Sequence, residues 1–371
     1  MSEIPSIDSF LKNVKWNPIE IHLNDIVFRI DESVIKAQKM RSLYRDELLK
    51  ANPKLQSNIK SVPEDVLNQI KNVLLTGTVA AADGTICPVP LLGGTKIQIG
   101  VVIVLNTGEV VNLVTRIFET ELVDDSKNAT EFFSKLRGAR KISNLLGRAI
   151  MLFGERQELL KQKADWRLIH GELIPHELRT GAGNPSKNLD SAFELVNKYV
   201  ASEKFIAVSE GSDDIDILNA AILLEQGEYI VIKNLQDTLT TFLEGDPSTG
   251  QTRANFNHSD EKKFREFITT VGPKVSVVLV KAGLKPFLLE CHSDRIEEAV
   301  ALFLADSTWS RGAEMDKDTL IIRGFPFHID LADQVARTLL KGSEFRSLVE
   351  GRMFDLGVES GFFDIDPRRT R

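Results

Sequence analysis

Three short runs rich in apolar and β-branched residues follow one another at 78–83, 96–105 and 109–118. The sequence Asn-Thr-Gly-Glu separates the last two and is typical of a turn between paired strands. Short apolar runs of this kind bury their side chains by pairing in a sheet. The region therefore predicts three consecutive strands, and the first of them, which reads Val-Ala-Ala-Ala, has the character of a central strand.

Helical patterns alternate with further strands along the rest of the chain. Residues 15–75 read as mostly helical, and a long helical region covers 128–163. A short strand is expected at 165–175, a hairpin around Gly283-Leu284-Lys285, and a last strand at 318–326. Helices interleaved with a mixed sheet predict the α/β fold class.

The composition is that of a globular protein with an excess of acids. Of the 371 residues 42% are apolar and 27% are charged, and the formal net charge is −7. An acidic chain is a poor binder of nucleic acid by charge alone, because phosphate neutralisation needs a basic field. Two cysteines are too few for a disulfide framework or a thiolate zinc site. The chain has no apolar run of membrane-spanning length and no signal-peptide pattern, so the expected compartment is the cytoplasm.

Two basic stretches remain as candidates for contact with nucleic acid. One is 135–148, which carries several Lys and Arg residues and no acids, and the other is the C-terminal tip 366–371. The candidate DNA-binding residues of the first stretch are Arg137, Arg140, Lys141 and Arg148. The alternative interpretation is a solvated helix face and a frayed tail.

Asp83 stands at the end of the first strand, directly before Gly84 and Thr85. A carboxylate in this position is commonly a turn residue that accepts hydrogen bonds from the next backbone N–H groups. The small side chains before it leave room for another group to approach, and a strand is a rigid mount for a metal ligand. Both interpretations of Asp83 stay open from the sequence.

A metal site for phosphodiester cleavage needs further oxygen ligands beside Asp83. Glu155 and Glu158 lie three residues apart on the long helix and share one face, with Glu158 interpreted as a solvent-facing acid. His170 and Glu172 alternate along the predicted strand and are expected on one face, although that strand could equally be emerging into solvent.

Two acids follow a proline turn near the C-terminal end of the chain. Asp330 is placed to cap the last helix, so it has a ready structural role. Asp333 lies one turn further and has no obvious structural role, which makes it the better candidate ligand.

Together these motifs resemble the NurA family, the nucleases that work beside a HerA-type translocating ATPase in DNA end processing. The resemblance covers residues 75 to 345. The family's strand ending in Asp-Gly-Ser/Thr matches Asp83-Gly84-Thr85, and its helical glutamate matches Glu155. The strand Asp-Gly-Ser-Leu-x-Pro is matched by residues 170–175, and the C-terminal motif by Gly324-Phe325-Pro326 with Ala332-Asp333.

The resemblance implies a ribonuclease-H-like mixed sheet, a homodimer, and a site that binds Mn²⁺ or Mg²⁺. The metal ligands it implies are Asp83, Glu155, His170, Glu172 and Asp333, and the catalytic residues Asp83, Glu155, Glu172 and Asp333. This chain has His170 where the family has a metal-binding Asp, and Phe325 where it has Tyr. Glu172 could restore the lost carboxylate if it shares the strand face of His170.

Three parts of the chain follow from this assignment. Residues 1–75 form a mostly helical extension for dimerisation or partner docking, 76–345 form the nuclease domain, and 346–371 form a tail with a basic tip. The function expected is a metal-dependent deoxyribonuclease that acts with a HerA-type hexameric ATPase in DNA end processing or in phage defence. The alternative is a catalytically impaired relative that serves as a scaffold for the ATPase.

Overall fold

The structure is a computed structural model that describes most of the chain. The described residues are 23–76, 78–91, 94–117, 127–211, 215–245, 253–308, 324–339 and 342–357. Most of the strand predicted at 318–326 and the basic tip of the C-terminal tail lie outside the described residues.

A single mixed sheet forms the centre of the fold. Within the described residues it has nine strands in the order β1-β7-β8-β9-β6-β5-β2-β3-β4. The strands are β1 (Ile59–Ser61), β2 (Val79–Leu91), β3 (Gly94–Leu105), β4 (Val110–Ile117), β5 (Trp166–His170), β6 (Phe205–Ser209), β7 (Glu228–Asn234), β8 (Val275–Lys281) and β9 (Pro286–His292). β5 is parallel to both β2 and β6, and the other pairs are antiparallel.

The predicted fold class is confirmed. β4, β3 and β2 form an antiparallel meander, and β5 and β6 then add to the other edge of β2 in parallel. This is the strand order of a ribonuclease-H-like sheet. The second hairpin, β8 and β9, forms around residues 282–285 as predicted and continues the sheet beyond β6.

Twelve helices lie within the described residues, and those after residue 58 cover both faces of the sheet. They are α1 (Leu23–Ala51), α2 (Pro53–Asn58), α3 (Glu64–Leu75), α4 (Ala129–Leu160), α5 (His176–Arg179), α6 (Pro185–Ser202), α7 (Ile215–Leu223), α8 (Leu235–Glu244), α9 (His258–Val271), α10 (Ile296–Thr308), α11 (Phe327–Leu339) and α12 (Gly342–Asp355). Ala80 and Ala82 of β2 pack in the cluster formed with α4, α6, α8 and α9. Val79 and Ala81 point the other way, into the cluster formed with α3, α10 and α11.

The chain divides into two compact units between Ser57 and Asn58. The first unit contains α1, which exposes apolar side chains such as Ile30 and Val34. This confirms the helical character predicted for the N-terminal segment, while its role in dimerisation or docking stays a prediction. No helix among the described residues is long and apolar enough to cross a membrane.

Two predicted strand ends are wrong. β2 does not turn at Asp83-Gly84 but continues to Leu91, because its pairing with β3 persists from Asp83↔Val102 onward. β5 ends at His170 rather than at Pro175, because Gly171 adopts a φ of +81°, which an extended strand cannot contain. The interpretation of Asp83 as an ordinary turn residue therefore fails.

We expect Gly324→Ala to lower the free energy of unfolding by about 2–4 kcal/mol, since it combines backbone strain with overpacking. Gly324 has a φ of +90°, and a Cβ there would lie 2.9 Å from the carbonyl carbon of Ala282 in the β8–β9 turn. Gly108→Ala is the matched control, because its φ is +84° but no atom lies within 4 Å of the added Cβ. Chemical denaturation measures both, and equal losses would contradict the close contact at Gly324.

Candidate active site

Asp83 lies where β2 loses its partner β5. The last residue pair of that ladder is Ala82↔Ile169, so the β5 side of the strand is open from Asp83 onward. Side chains alternate along a strand, so Asp83 points to the same face as Val79 and Ala81. The residue is only 6% exposed, and its Oδ1 accepts a 2.8 Å hydrogen bond from the N–H of Gly84. A buried carboxylate therefore stands on β2 at the point where its pairing with β5 ends.

Glu155 reaches the same point from α4, on the opposite face of the sheet. It is 2% exposed, and its carboxylate lies directly against Gly84. A Cβ at position 84 would collide with Oε1 and Cδ of Glu155. Glycine is therefore required here because a carboxylate packs on the strand, and not because of a turn.

Asp333 approaches Asp83 from α11. Its carboxyl group lies within hydrogen-bonding distance of that of Asp83, and it accepts a 2.6 Å hydrogen bond from Nε of Arg337. The helix begins at Phe327, so Asp330 lies inside the first turn and does not cap it, contrary to the prediction from the sequence. Asp330 is buried and accepts a 2.7 Å hydrogen bond from Gln334.

His170 links two carboxylates at the end of β5. Its Nδ1 lies 3.2 Å from Oδ1 of Asp83, and its Nε2 lies 3.5 Å from Oε1 of Glu210. The imidazole also contacts the ring of Phe325 edge-on, with 5.4 Å between the ring centroids. Both ring nitrogens are thus engaged, and the imidazole orients Asp83 and Glu210 toward each other.

The electrostatics of the cluster follow from burying several acids together. Burial raises the pKa of Glu155 to about 8, although the charges of Arg156 and His170 oppose this and that of Asp83 adds to it. Burial and the charge of Asp83 also raise the pKa of Asp333, against the effect of Arg337. Burial lowers the pKa of His170, but hydrogen bonds to Asp83 and Glu210 and the nearby negative charges outweigh it and raise the pKa to about 10. The cluster therefore favours bound protons or cations.

Arg156 holds the helix that carries Glu155. It is fully buried, and its Nε donates to the carbonyl of Leu173 at 3.0 Å. It also donates to the carbonyls of Leu152 and Glu172 and lies 3.4 Å from Oε2 of Glu155. One guanidinium thus fastens the segment after β5 to α4 and partly neutralises the buried glutamate.

The structure does not bring Glu172 into this cluster. β5 has already ended at His170, so strand alternation no longer relates the two side chains. Oε2 of Glu172 instead accepts a 2.7 Å hydrogen bond from Arg179, and its charge is felt by the buried Glu290. Glu172 was expected to replace the missing metal-binding Asp from the same strand face as His170, and the structure does not place it there.

The remaining candidates lie on α4. Arg148 forms a 2.6 Å ion pair with the buried Glu177. The side chains of Arg137, Arg140 and Lys141 lie outside the described part of the helix. Glu158 forms a 2.6 Å ion pair with Lys161 at the end of α4 and is a surface acid, as interpreted from the sequence.

The donor set suits a hard divalent cation better than any other occupant. Asp83, Glu155 and Asp333 offer carboxylate oxygens, which Mn²⁺ and Mg²⁺ prefer. Two of these acids have pKa values raised by burial beside like charges, an arrangement that a cation would stabilise. Among the described residues, however, no three His, Cys, Asp or Glu side chains are arranged to hold one metal ion. Binding of one ion by all three acids would therefore need a rearrangement of side chains.

Glu210 is the site residue that sequence reasoning missed. It directly follows β6, the parallel neighbour of β5, and contacts both His170 and Lys285, the latter at 3.6 Å. The carboxyl ends of parallel strands meet at one edge of a sheet, so its position after the run Phe-Ile-Ala-Val-Ser was the available signal.

Comparison with solved structures finds NurA nucleases over most of the chain. The NurA nuclease from Sulfolobus solfataricus matches with 12% identity and a TM-score of 0.48, covering 91% of this chain and 98% of that one. NurA bound to dAMP and manganese matches with 10% identity and a TM-score of 0.48, covering 89% and 98%. The chain is similar to the NurA nucleases.

No protein-family model matches the chain. No curated protein matches it either.

We expect Glu155→Gln to flatten the fall of stability that the wild type shows as the pH rises from the ordinary glutamate pKa to about 8. The pKa of Glu155 is raised on folding to about 8, so its stabilising effect is complete below the ordinary glutamate pKa and is lost as the pH rises through 8. Between pH 5 and 9 the wild type should therefore lose on the order of a few kcal/mol more than the variant.

Denaturant unfolding in EDTA across this range is the measurement. Glu158→Gln is the control, because Glu158 lies one turn away on the surface of the same helix. Parallel pH profiles for the wild type and Glu155→Gln would show that Glu155 is not held in the buried environment described.

Proposed function

We propose that the protein is a metal-dependent deoxyribonuclease that hydrolyses phosphodiester bonds with Mn²⁺ or Mg²⁺. The observation that supports this most is that Asp83 lies beside both Glu155 and Asp333, which come from two helices on opposite faces of the sheet. Buried acids that repel one another are costly unless something positive binds between them. A divalent cation is the occupant that also serves phosphodiester chemistry.

The roles of the residues follow from their positions. Asp83, Glu155 and Asp333 would hold the ion, which when bound supplies Lewis acidity and a more acidic water molecule. Arg156 keeps Glu155 at the strand, and His170 orients Asp83. Glu172 is not assigned a catalytic role, because it pairs with Arg179.

DNA is the proposed substrate and a HerA-type hexameric ATPase the proposed partner, with two copies of this chain forming the nuclease. The net charge of −7 supports a partner, because a motor that delivers DNA removes the need to capture it by charge. DNA end processing and phage defence are both consistent with this role. Co-purification of a hexameric ATPase with the tagged full-length chain tests the partnership, and recovery of the chain alone would argue against it.

We expect Asp83→Asn, Glu155→Gln and Asp333→Asn each to lower the rate of DNA cleavage in Mn²⁺ by about a hundredfold or more, since each removes a charged ligand. Cleavage of linear and single-stranded DNA is the measurement. Glu158→Gln, on the same helix as Glu155 but paired with Lys161, should retain the wild-type rate. Equal cleavage by the wild type and Asp83→Asn would remove Asp83 from the mechanism.

A scaffold without catalytic activity is the second candidate. The observation in its favour is that His170 engages Asp83 and Glu210 through both ring nitrogens and so occupies space near the expected ion. Calorimetric titration with Mn²⁺ separates the two functions. Binding by the wild type that is lost in Asp83→Asn supports the nuclease, and no binding by either supports the scaffold.

A further inference from the structure

We propose that Lys285 and Arg337 bind backbone phosphates of the DNA strand beside the carboxylate cluster. The proposal rests on the nuclease function proposed above, which supplies the ligand. It addresses a problem that the cluster creates, because several acids close together repel a polyanion from the atoms that would cleave it. Exposed cations beside the cluster would hold the strand against that repulsion.

Lys285 stands at the tip of the β8–β9 hairpin, at one side of the cluster. Its Nζ lies 3.6 Å from Oε2 of Glu210, and both side chains are 37% exposed. That separation is longer than a hydrogen bond, and exposed pairs of this kind contribute little stability. A phosphate oxygen can therefore replace Glu210 as the partner of Lys285 at small cost.

The packing beneath Lys285 fixes the hairpin to the site. Nζ lies 5.1 Å from the ring centroid of Phe287, whose ring is 5.3 Å from that of Phe325. Phe325 in turn contacts His170 at 5.4 Å. The backbone at Gly324 lies close against the turn of the hairpin. The ammonium group is thus carried on a rigid support that contacts the candidate active site directly.

Arg337 pairs with the cluster acid Asp333 and lies one turn after it on α11. Its Nε donates to Oδ1 of Asp333 at 2.6 Å, while the side chain is 74% exposed. A guanidinium has five N–H donors in a planar fork, so donors remain for a phosphate when Nε is held by Asp333. Asp333 therefore orients Arg337 without using up its binding capacity.

Asp330 relates Arg337 to Glu210, the residue that Lys285 contacts. Besides its bond to Gln334, the charges of Arg337, Glu210 and His170 all act on its carboxyl group. Other described cations at the cluster are committed: Arg156 is buried against backbone carbonyls, and His170 lies between two acids. Lys285 and Arg337 combine exposure with proximity to the carboxylates.

The test is binding of a fluorescent single-stranded oligonucleotide to the full-length protein in EDTA, across a series of salt concentrations. Lys285→Ala and Arg337→Ala should each reduce the slope of log K against log salt by about 0.7, and the double variant by about twice that. At about 50 mM salt each should weaken binding about three- to tenfold, and Arg337→Lys should keep most of the wild-type slope.

The matched controls are a lysine and an arginine in exposed ion pairs on α9. Lys263 pairs with Asp190 at 2.7 Å, and Arg265 forms an i,i+4 pair with Glu261 like that of Arg337 with Asp333. Lys263→Ala and Arg265→Ala should leave the slope unchanged. Slopes for Lys285→Ala and Arg337→Ala equal to those of the controls would overturn the proposal, and so would the absence of binding by the wild type at low salt.

Cleavage in Mn²⁺ is measured separately on the same variants. Asp83-dependent cleavage, together with unchanged salt slopes in Lys285→Ala and Arg337→Ala, would support the nuclease function and contradict the phosphate contacts. Reduced slopes without any cleavage would support the phosphate contacts and contradict the nuclease function. The two results are therefore distinguishable.

Discussion

Repulsion among buried carboxylates is the constraint on which the candidate site depends. Asp83 and Glu155 lie on the two faces of β2, and both are nearly inaccessible to solvent. Burial penalises each negative charge, and proximity adds a further penalty, which is why the pKa of Glu155 rises to about 8. Such a group of acids lowers the free energy of unfolding, and destabilising groups of this kind are typical of functional sites and not of protein cores.

The surrounding structure offsets this repulsion with fixed positive groups. Arg156 neutralises part of the charge of Glu155 and at the same time fastens the chain after β5 to α4. His170 lies between Asp83 and Glu210, and Arg337 holds Asp333. These contacts neutralise the negative charge of the cluster only in part, so an external cation would stabilise it further. Internal ion pairs and a bound metal ion would therefore compete for the same carboxylates.

The parts of the site that were predictable share a local signal. Asp83 and Asp333 are acids next to a strong strand or helix pattern, and the match to the NurA motif distinguishes Glu155 from Glu158. In the structure Asp83 lies beside both Glu155 and Asp333. Glu172 was misplaced because alternation was extended past the true end of β5, where Gly171 turns the chain. Glu210 was missed because its proximity to His170 depends on β6 pairing with β5.

The sequence by itself determined the alternation of strands and helices and the residue types available for chemistry. These properties depend on periodicity and on side-chain chemistry, which are local. Only the tertiary structure decided which acids meet, because residues 83, 155 and 333 are brought together by strand order and by helix packing on opposite faces. It likewise decided that Gly84 makes room for Glu155 rather than forming a turn, since that contact joins distant parts of the chain.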